Sequence, residues 1–287
     1  VFNKSRIKTS FIKYLFPKRI WVSQSAFVDY SLFVFNSIFK IILIAPYIIL
    51  GFYLAFYINE GLMVIFGYPE YSLGTTQTII LYTISLTILS DFFTYIVHLL
   101  MHKIPFLWEF HKVHHSAETL NPITVYRTHP LEGILFSIRG AFTQGIVISI
   151  FIFLFGNKVD LVTILGVNIF VFTFHVAGSN LRHSHIGIQY WPWLEKLIIS
   201  PAQHQLHHSL DFRHYDKNFG ATLALWDWIF GSLHYSEDIE GLVLGVDEGH
   251  IDHQNLKELY IRPLQEIGQI ISDVLQGIKS IFKIFKT

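Results

Sequence analysis

The sequence predicts an all-α integral membrane protein with about four transmembrane helices, paired as two hairpins, and a cytoplasmic helical cap. Three observations carry this reading. Of the 287 residues, 52% are hydrophobic and only 15% charged, where a soluble domain carries about 25% charged residues. Four apolar runs reach or approach the roughly 20 residues that a helix needs to cross a hydrocarbon core. The basic residues are spread unevenly over the segments between those runs, in the manner of the positive-inside rule.

Residues 1–30 hold Lys4, Arg6, Lys8, Lys13, Lys18 and Arg19 among Phe, Tyr and Trp. They read as an interfacial basic segment that keeps the N-terminus in the cytoplasm. No short apolar stretch with a small-residue cleavage site follows at once, so the segment is not read as a cleavable signal peptide. The run 41–58 is the first span. The connection 59–77 has Glu60 and Glu70 but no Lys or Arg, as an external loop should, and 78–101 returns the chain. Residues 102–139 bring back Lys103, Lys112, Arg127 and Arg139 and read as internal. The runs 140–155 and 161–177 form a second pair, split by Gly156-Asn157-Lys158-Val159-Asp160. The first of them is short, which leaves a re-entrant hairpin as the alternative to two full spans. Either way, the remainder from 178 is internal. The expected organisation is a basic segment over 1–30, a membrane domain with its cap over 31–240, and a tail over 241–287. In that tail Ile267, Ile270, Ile271, Val274, Leu275, Ile278, Ile281, Phe282 and Phe285 recur at helical spacing. An amphipathic helix lying on the membrane or on the cap is expected there.

With no cysteine, disulfides, thiolate metal sites and iron–sulfur clusters are excluded. A net charge of +0 argues against nucleic acid as a partner. The histidines stand out instead: there are 16, and eight fall in three tight boxes. His98 and His102 close the second apolar run, and on a helix i and i+4 share a face. Asp91 and Tyr95 fall on that face too, and an acid there is expected to be paired, as an orienting partner for a ligand. His111, His114 and His115 follow Pro105, which suits the first position of a helix. His204, His207 and His208 repeat the spacing behind Ser200-Pro201-Ala202-Gln203, an N-cap, an N1 proline and a capping-box glutamine. The spacing i, i+3, i+4 is expected to gather each trio on one stripe. Neutral imidazoles suit iron, zinc and copper, and eight are too many for one site, so two metal ions are expected. His183 and His185 are further candidates to complete the metal shell, while His129 and His175 are candidates for the shell or the pocket. His214, His234, His250 and His253 are scattered and read as exposed.

The order H-x3-H, H-x2-H-H, H-x2-H-H resembles the fatty acid hydroxylase/sterol desaturase superfamily of membrane-bound di-iron oxygenases. The likeness covers about residues 76–235 and extends beyond the boxes, through "DFFTYIVHLLMH", "LWEFHKVHHSAE", "RTHPLEG", "NLRHSHI", "SPAQHQLHHS" and "DKNFGATLALWDWIFGSL". One departure is Leu99, where many members carry Arg directly after the first histidine. The metal site is left intact by it, but any anionic contact of that Arg is missing. The resemblance implies a helical membrane domain whose cytoplasmic cap holds two iron ions over a lipid-accessible cavity, with zinc able to substitute in a purified sample. It also implies O2-dependent attack on an unactivated C–H bond of a lipid. Such a bond offers nothing to protonate or polarise, so the protein supplies ligands, a dry channel and positioning. Electrons are expected from a separate donor of the reductase, ferredoxin or cytochrome type. Trp226, Asp227 and Trp228 are read as packing residues. Hydroxylation leads, with desaturation or ether-lipid oxidation as variants of the same chemistry. A metal transporter would need polar groups at mid-membrane. A zinc lipid hydrolase would need fewer histidines and a carboxylate base.

Overall fold

The computed structural model describes residues 10–69, 71, 73–156, 179–247 and 254–284. Among them the regular elements are helical and no strand forms. The apolar run 161–177 and His175 lie outside the described residues. Two short helices, α1 (Phe11–Leu15) and α2 (Lys18–Trp21), lead into α3 (Gln24–Phe66). Ser23 caps α3 by accepting from the Ala26 N–H at 3.1 Å. Its 43 residues extend about 64 Å at 1.5 Å per residue, roughly twice a hydrocarbon core. Both Gln24–Ile42 and Ile44–Phe66 are long and apolar enough to cross a membrane, as are α4 (Thr75–Lys103) and α6 (Pro130–Phe155).

The two halves of α3 do different work. The second half turns Ile48, Phe52 and Phe56 outward, as a lipid-facing helix should. The first half buries Asp29 and Asn36. Asp29 pairs with Arg127 at 3.0 Å and also accepts from Thr124 Oγ1 at 2.6 Å and Asn121 Nδ2 at 3.1 Å. The Asn36 amide donates to the Thr128 carbonyl at 2.8 Å. These bonds make the start of α3, which lies within the stretch read as interfacial, a pillar of the polar region. The run 140–155 is the second half of α6, a 26-residue helix of about 39 Å. Hydropathy hides its first half because Arg139 interrupts it, and that guanidinium donates through Nη1 to the Ser90 carbonyl and Oγ at 3.0 and 2.8 Å, its Nε staying buried without a partner. Helices α3 and α6 meet where Gly145 lies against Gly51 and Leu54, close enough that an added Cβ would sit 2.7 Å from Leu54 Cβ. Ala55, Tyr82, Leu86, Val147, Ile148 and Phe151 form the apolar core beside that crossing.

After Ile104 the chain turns into α5 (Pro105–His115), with Pro105 in its first turn. Two further short helices are α7 (Pro201–His207) and α8 (Leu225–Phe230), and α9 (Leu256–Ile284) closes the order. Residues 241–247 return beside α7, where the Leu210 N–H donates to the Val243 carbonyl at 3.0 Å. The amphipathic helix expected in the tail is α9. Its first turns dock on the cap through Leu259, packed with Val28, Leu32 and Val113. Beyond Pro263 its apolar residues Leu264, Ile271, Val274, Leu275 and Ile278 are exposed.

Candidate metal centre

The two short histidine-bearing helices, α5 and α7, each start with a proline in the first turn, a few residues before their rings. Helix α7 opens on a complete capping box, Ser200 Oγ accepting from the Gln203 N–H and Gln203 Oε1 from the Ser200 N–H. Successive residues on a helix are rotated by about 100°. His115 therefore lies about 40° to one side of His111 and His114 about 60° to the other. The trio does not form one stripe, as the spacing suggested, but forks. His111 and His115 join His98, His102 and His207 in one group, and His114 joins His183, His204 and His208 in another. Within each group one ring nitrogen per residue lies within 4.8 Å of the others.

The protonation pattern follows from backbone partners. His98 Nδ1 lies 2.7 Å from the Phe219 carbonyl, His207 Nδ1 2.7 Å from that of Lys217, and His114 Nδ1 3.2 Å from that of Arg127. A carbonyl only accepts, so these Nδ1 atoms carry the proton and each neutral ring presents a bare Nε2. His111 Nδ1 donates to Glu132 Oε1 at 3.0 Å. Burial pushes His207 down to about 4 and His114 to about 3, and holds His111, His115, His183, His204 and His208 far below the usual histidine range. Uncharged rings then face each other closely, with Nε2 of His98 and His207 only 3.0 Å apart. Two lone pairs at that distance repel unless a cation sits between them. In the second group Nε2 separations are 3.1 Å for His114–His183, 3.0 Å for His183–His204 and 3.2 Å for His204–His208. Nε2 of His102, His111 and His115 is buried with no partner at all. Buried nitrogens left unsatisfied in this number call for a ligand, and all-nitrogen donor sets fit borderline transition metals. The residues present therefore fit two metal ions.

A cavity of about 380 Å³ reaches both groups, touching His98, His111, His114, His183 and His204. Its mostly apolar walls come from α3, α4 and α6, through residues such as Phe33, Thr94 and Phe136. A separate cavity of about 390 Å³ reaches His102, His115 and His207.

Comparison with known families matches residues 83–232 to the fatty acid hydroxylase family, just over half of the chain. The chain belongs to the fatty acid hydroxylase family. It is 29% identical over 148 residues to an ornithine lipid hydroxylase of Rhizobium tropici, covering 51% of this chain and 40% of that protein. It is 27% identical over 156 residues to the human alkylglycerol monooxygenase, covering 54% and 31%. It is 31% identical over 157 residues to a putative Delta(7)-sterol-C5(6)-desaturase of Arabidopsis thaliana, covering 53% and 48%. The chain thus spans less than half the length of these relatives. No solved structure matches it.

In this hydroxylase-family protein the eight box histidines and His183 are brought together, and the other candidates are placed elsewhere. His185 Nε2 donates to the Tyr14 carbonyl at 2.7 Å and joins neither group. His129 caps α6, accepting from the Leu131 N–H, and donates to the Tyr260 carbonyl of α9 at 3.2 Å. Among the described residues Asp91 meets no histidine. It accepts from the Thr222 and Leu223 N–H groups and from Trp226 Nε1 at 2.9, 3.2 and 2.9 Å, and so ties down the segment that presents the Phe219 carbonyl. Tyr95 bonds to Ser232 Oγ at 3.1 Å and stacks on Phe230. Asp227 is buried, accepting from the Phe219 and Gly220 N–H groups at 2.8 and 2.7 Å. His214 is buried against Ser209, not exposed, while His250 and His253 lie outside the described residues. Glu132 went unnoticed in the sequence. Its signal was an acid in the first turn of an otherwise apolar helix, within "RTHPLEG".

Proposed function

We propose that this protein is an O2-dependent lipid oxidoreductase that hydroxylates an unactivated C–H bond of a lipid drawn from the bilayer. The observation that carries the reading is the pair of neutral, bare-nitrogen histidine groups in the wall of a mostly apolar cavity between membrane helices. In this reading His98, His102, His111, His115 and His207 hold one iron ion and His114, His183, His204 and His208 hold the other. Iron bound there supplies the redox chemistry that O2 activation and C–H oxidation require. The chain's own residues do the rest. The carbonyls of Phe219, Lys217 and Arg127 and the Glu132 carboxyl keep His98, His207, His114 and His111 turned with Nε2 forward. Apolar side chains such as Phe33 and Phe136 seat an acyl or sterol chain and keep water out of the cavity. By the positive-inside rule the basic segments, and with them both histidine groups and both ends of the chain, face the cytoplasm. Electrons then arrive there from a separate donor.

Desaturation and ether-lipid oxidation remain variants of the same site, as the names of the relatives indicate for those proteins. The test is lipid profiling of a host that expresses the wild type, His207→Ala or His111→Ala, with and without O2. A new oxygenated lipid that needs both histidines and O2 is the expected result, and a new alkene instead would select desaturation. An unchanged lipid profile with altered cellular metal content would overturn the reading in favour of transport.

A further inference from the structure

Arg182 stands in the wall of the 380 Å³ cavity, and among the described residues it forms no ion pair. The residue is only 9% exposed, and its Nε is buried without a hydrogen bond. The nearest counter-charge outside the cavity lining is the carboxylate of Asp91. Asp91 already accepts from Thr222, Leu223 and Trp226, and it forms no ion pair with Arg182. A guanidinium taken out of water without a counter-charge is costly, and such groups are normally paired. The surroundings sharpen the imbalance. Among the described residues the one acid lining this cavity is Glu132, whose Oε1 is taken by His111 while its Oε2 is buried without a partner. A second cation, Lys40 of α3, lies on the same wall with its Nζ 5.7 Å from the centre of the Tyr126 ring. Metal ions held by the neutral imidazoles of the same wall would add further positive charge.

We propose that this cavity binds a lipid bearing an oxyanion, its carboxylate or phosphate held by the Arg182 guanidinium with Lys40 as a second cation. The inference takes the cavity to be the lipid site of the reading above. The planar fork of Arg182 matches a carboxylate or a phosphate through two parallel N–H···O bonds. A neutral sterol or diacylglycerol would leave that fork buried and unpaired, which is how a polar pocket rejects a ligand lacking its complement.

The test is equilibrium binding to the purified, metal-free chain, so that no turnover enters the readout. The probes are palmitic acid against methyl palmitate, phosphatidic acid against diacylglycerol, and inorganic phosphate alone. The wild type is expected to favour each acid over its neutral counterpart by about tenfold, the scale of one charge-assisted contact. Arg182→Gln loses that preference while methyl palmitate binds as before, Arg182→Lys keeps part of it, and Lys40→Ala lowers it by a smaller factor. Lys40 is exposed, so the last variant tests the site even if Arg182→Gln does not fold. Equal binding of acid and ester by the wild type, or an undiminished preference in Arg182→Gln, overturns the proposal. Binding of phosphate with no preference for either acidic lipid assigns the oxyanion to solution and overturns the lipid part. A charge preference in a protein that oxidises no lipid would remove the proposed reaction and leave this site standing.

Discussion

At the scale of single residues, what distinguishes the centre is the far side of each imidazole. Where Nδ1 is held by a carbonyl or by Glu132, the tautomer and the ring plane are both set before any metal arrives. Glu132→Gln keeps the length of the side chain but replaces the carboxyl that holds His111 Nδ1 with an amide. The expected result is a fall in iron affinity of about 10–100-fold, read as metal per chain, with the helix content unchanged. Asp91→Ala acts one step further out. It strands three donors, the Thr222 and Leu223 N–H groups and Trp226 Nε1. A loss of about 1–3 kcal/mol of stability is expected, seen as a lower unfolding midpoint in detergent. The box histidines were legible because three clusters on apolar helices are hard to explain as packing. Glu132 was not, because one acid in the first turn of a helix is ordinary. His183 and His185 lie two residues apart in one segment, and only tertiary placement separates the ring that meets His114 from the one that binds Tyr14.

Between residue and fold lies the helix, and here local signals and packing contribute differently. Pro105 and the Ser200–Gln203 capping box were readable because helix starts are written in adjacent residues. Ser200→Ala is expected to cost about 1 kcal/mol and to loosen α7, measured as faster amide exchange over 201–208. The lengths of α3 and α6 were not readable, because Asp29, Asn36 and Arg139 interrupt the hydropathy yet bond to partners far along the chain. The α3–α6 crossing depends on Gly145, whose added Cβ would approach Leu54 Cβ to 2.7 Å and the Gly51 carbonyl to 3.2 Å. Because one of those neighbours is backbone, the helices must part. Gly145→Leu should destabilise by about 1–3 kcal/mol, measured by thermal unfolding in detergent.

For the whole molecule, the hairpin order and charge bias define a testable topology. The chain contains no cysteine, so single cysteines can be introduced without background. A membrane-impermeant thiol reagent is expected to label Tyr68→Cys, in the α3–α4 connection, from outside the cell. Phe212→Cys, beside α7, should label only after the membrane is opened. The reverse pattern would place the histidine groups on the external face.

The fork in the H-x-x-H-H pattern also governs how such a centre fills. Helices α5 and α7 each contribute rings to both groups, so neither group can be ordered alone. An ion settling beside His111, His115 and His207 further restrains the roll of both helices, already held by their Nδ1 partners, and so favours a second ion at His114, His204 and His208. Coupling of this kind is reciprocal and suppresses half-filled states. Given less iron than the sites require, the population is expected to divide into empty and doubly loaded chains, resolved by native mass spectrometry. A dominant singly loaded species would show instead that the two arms of the fork move independently.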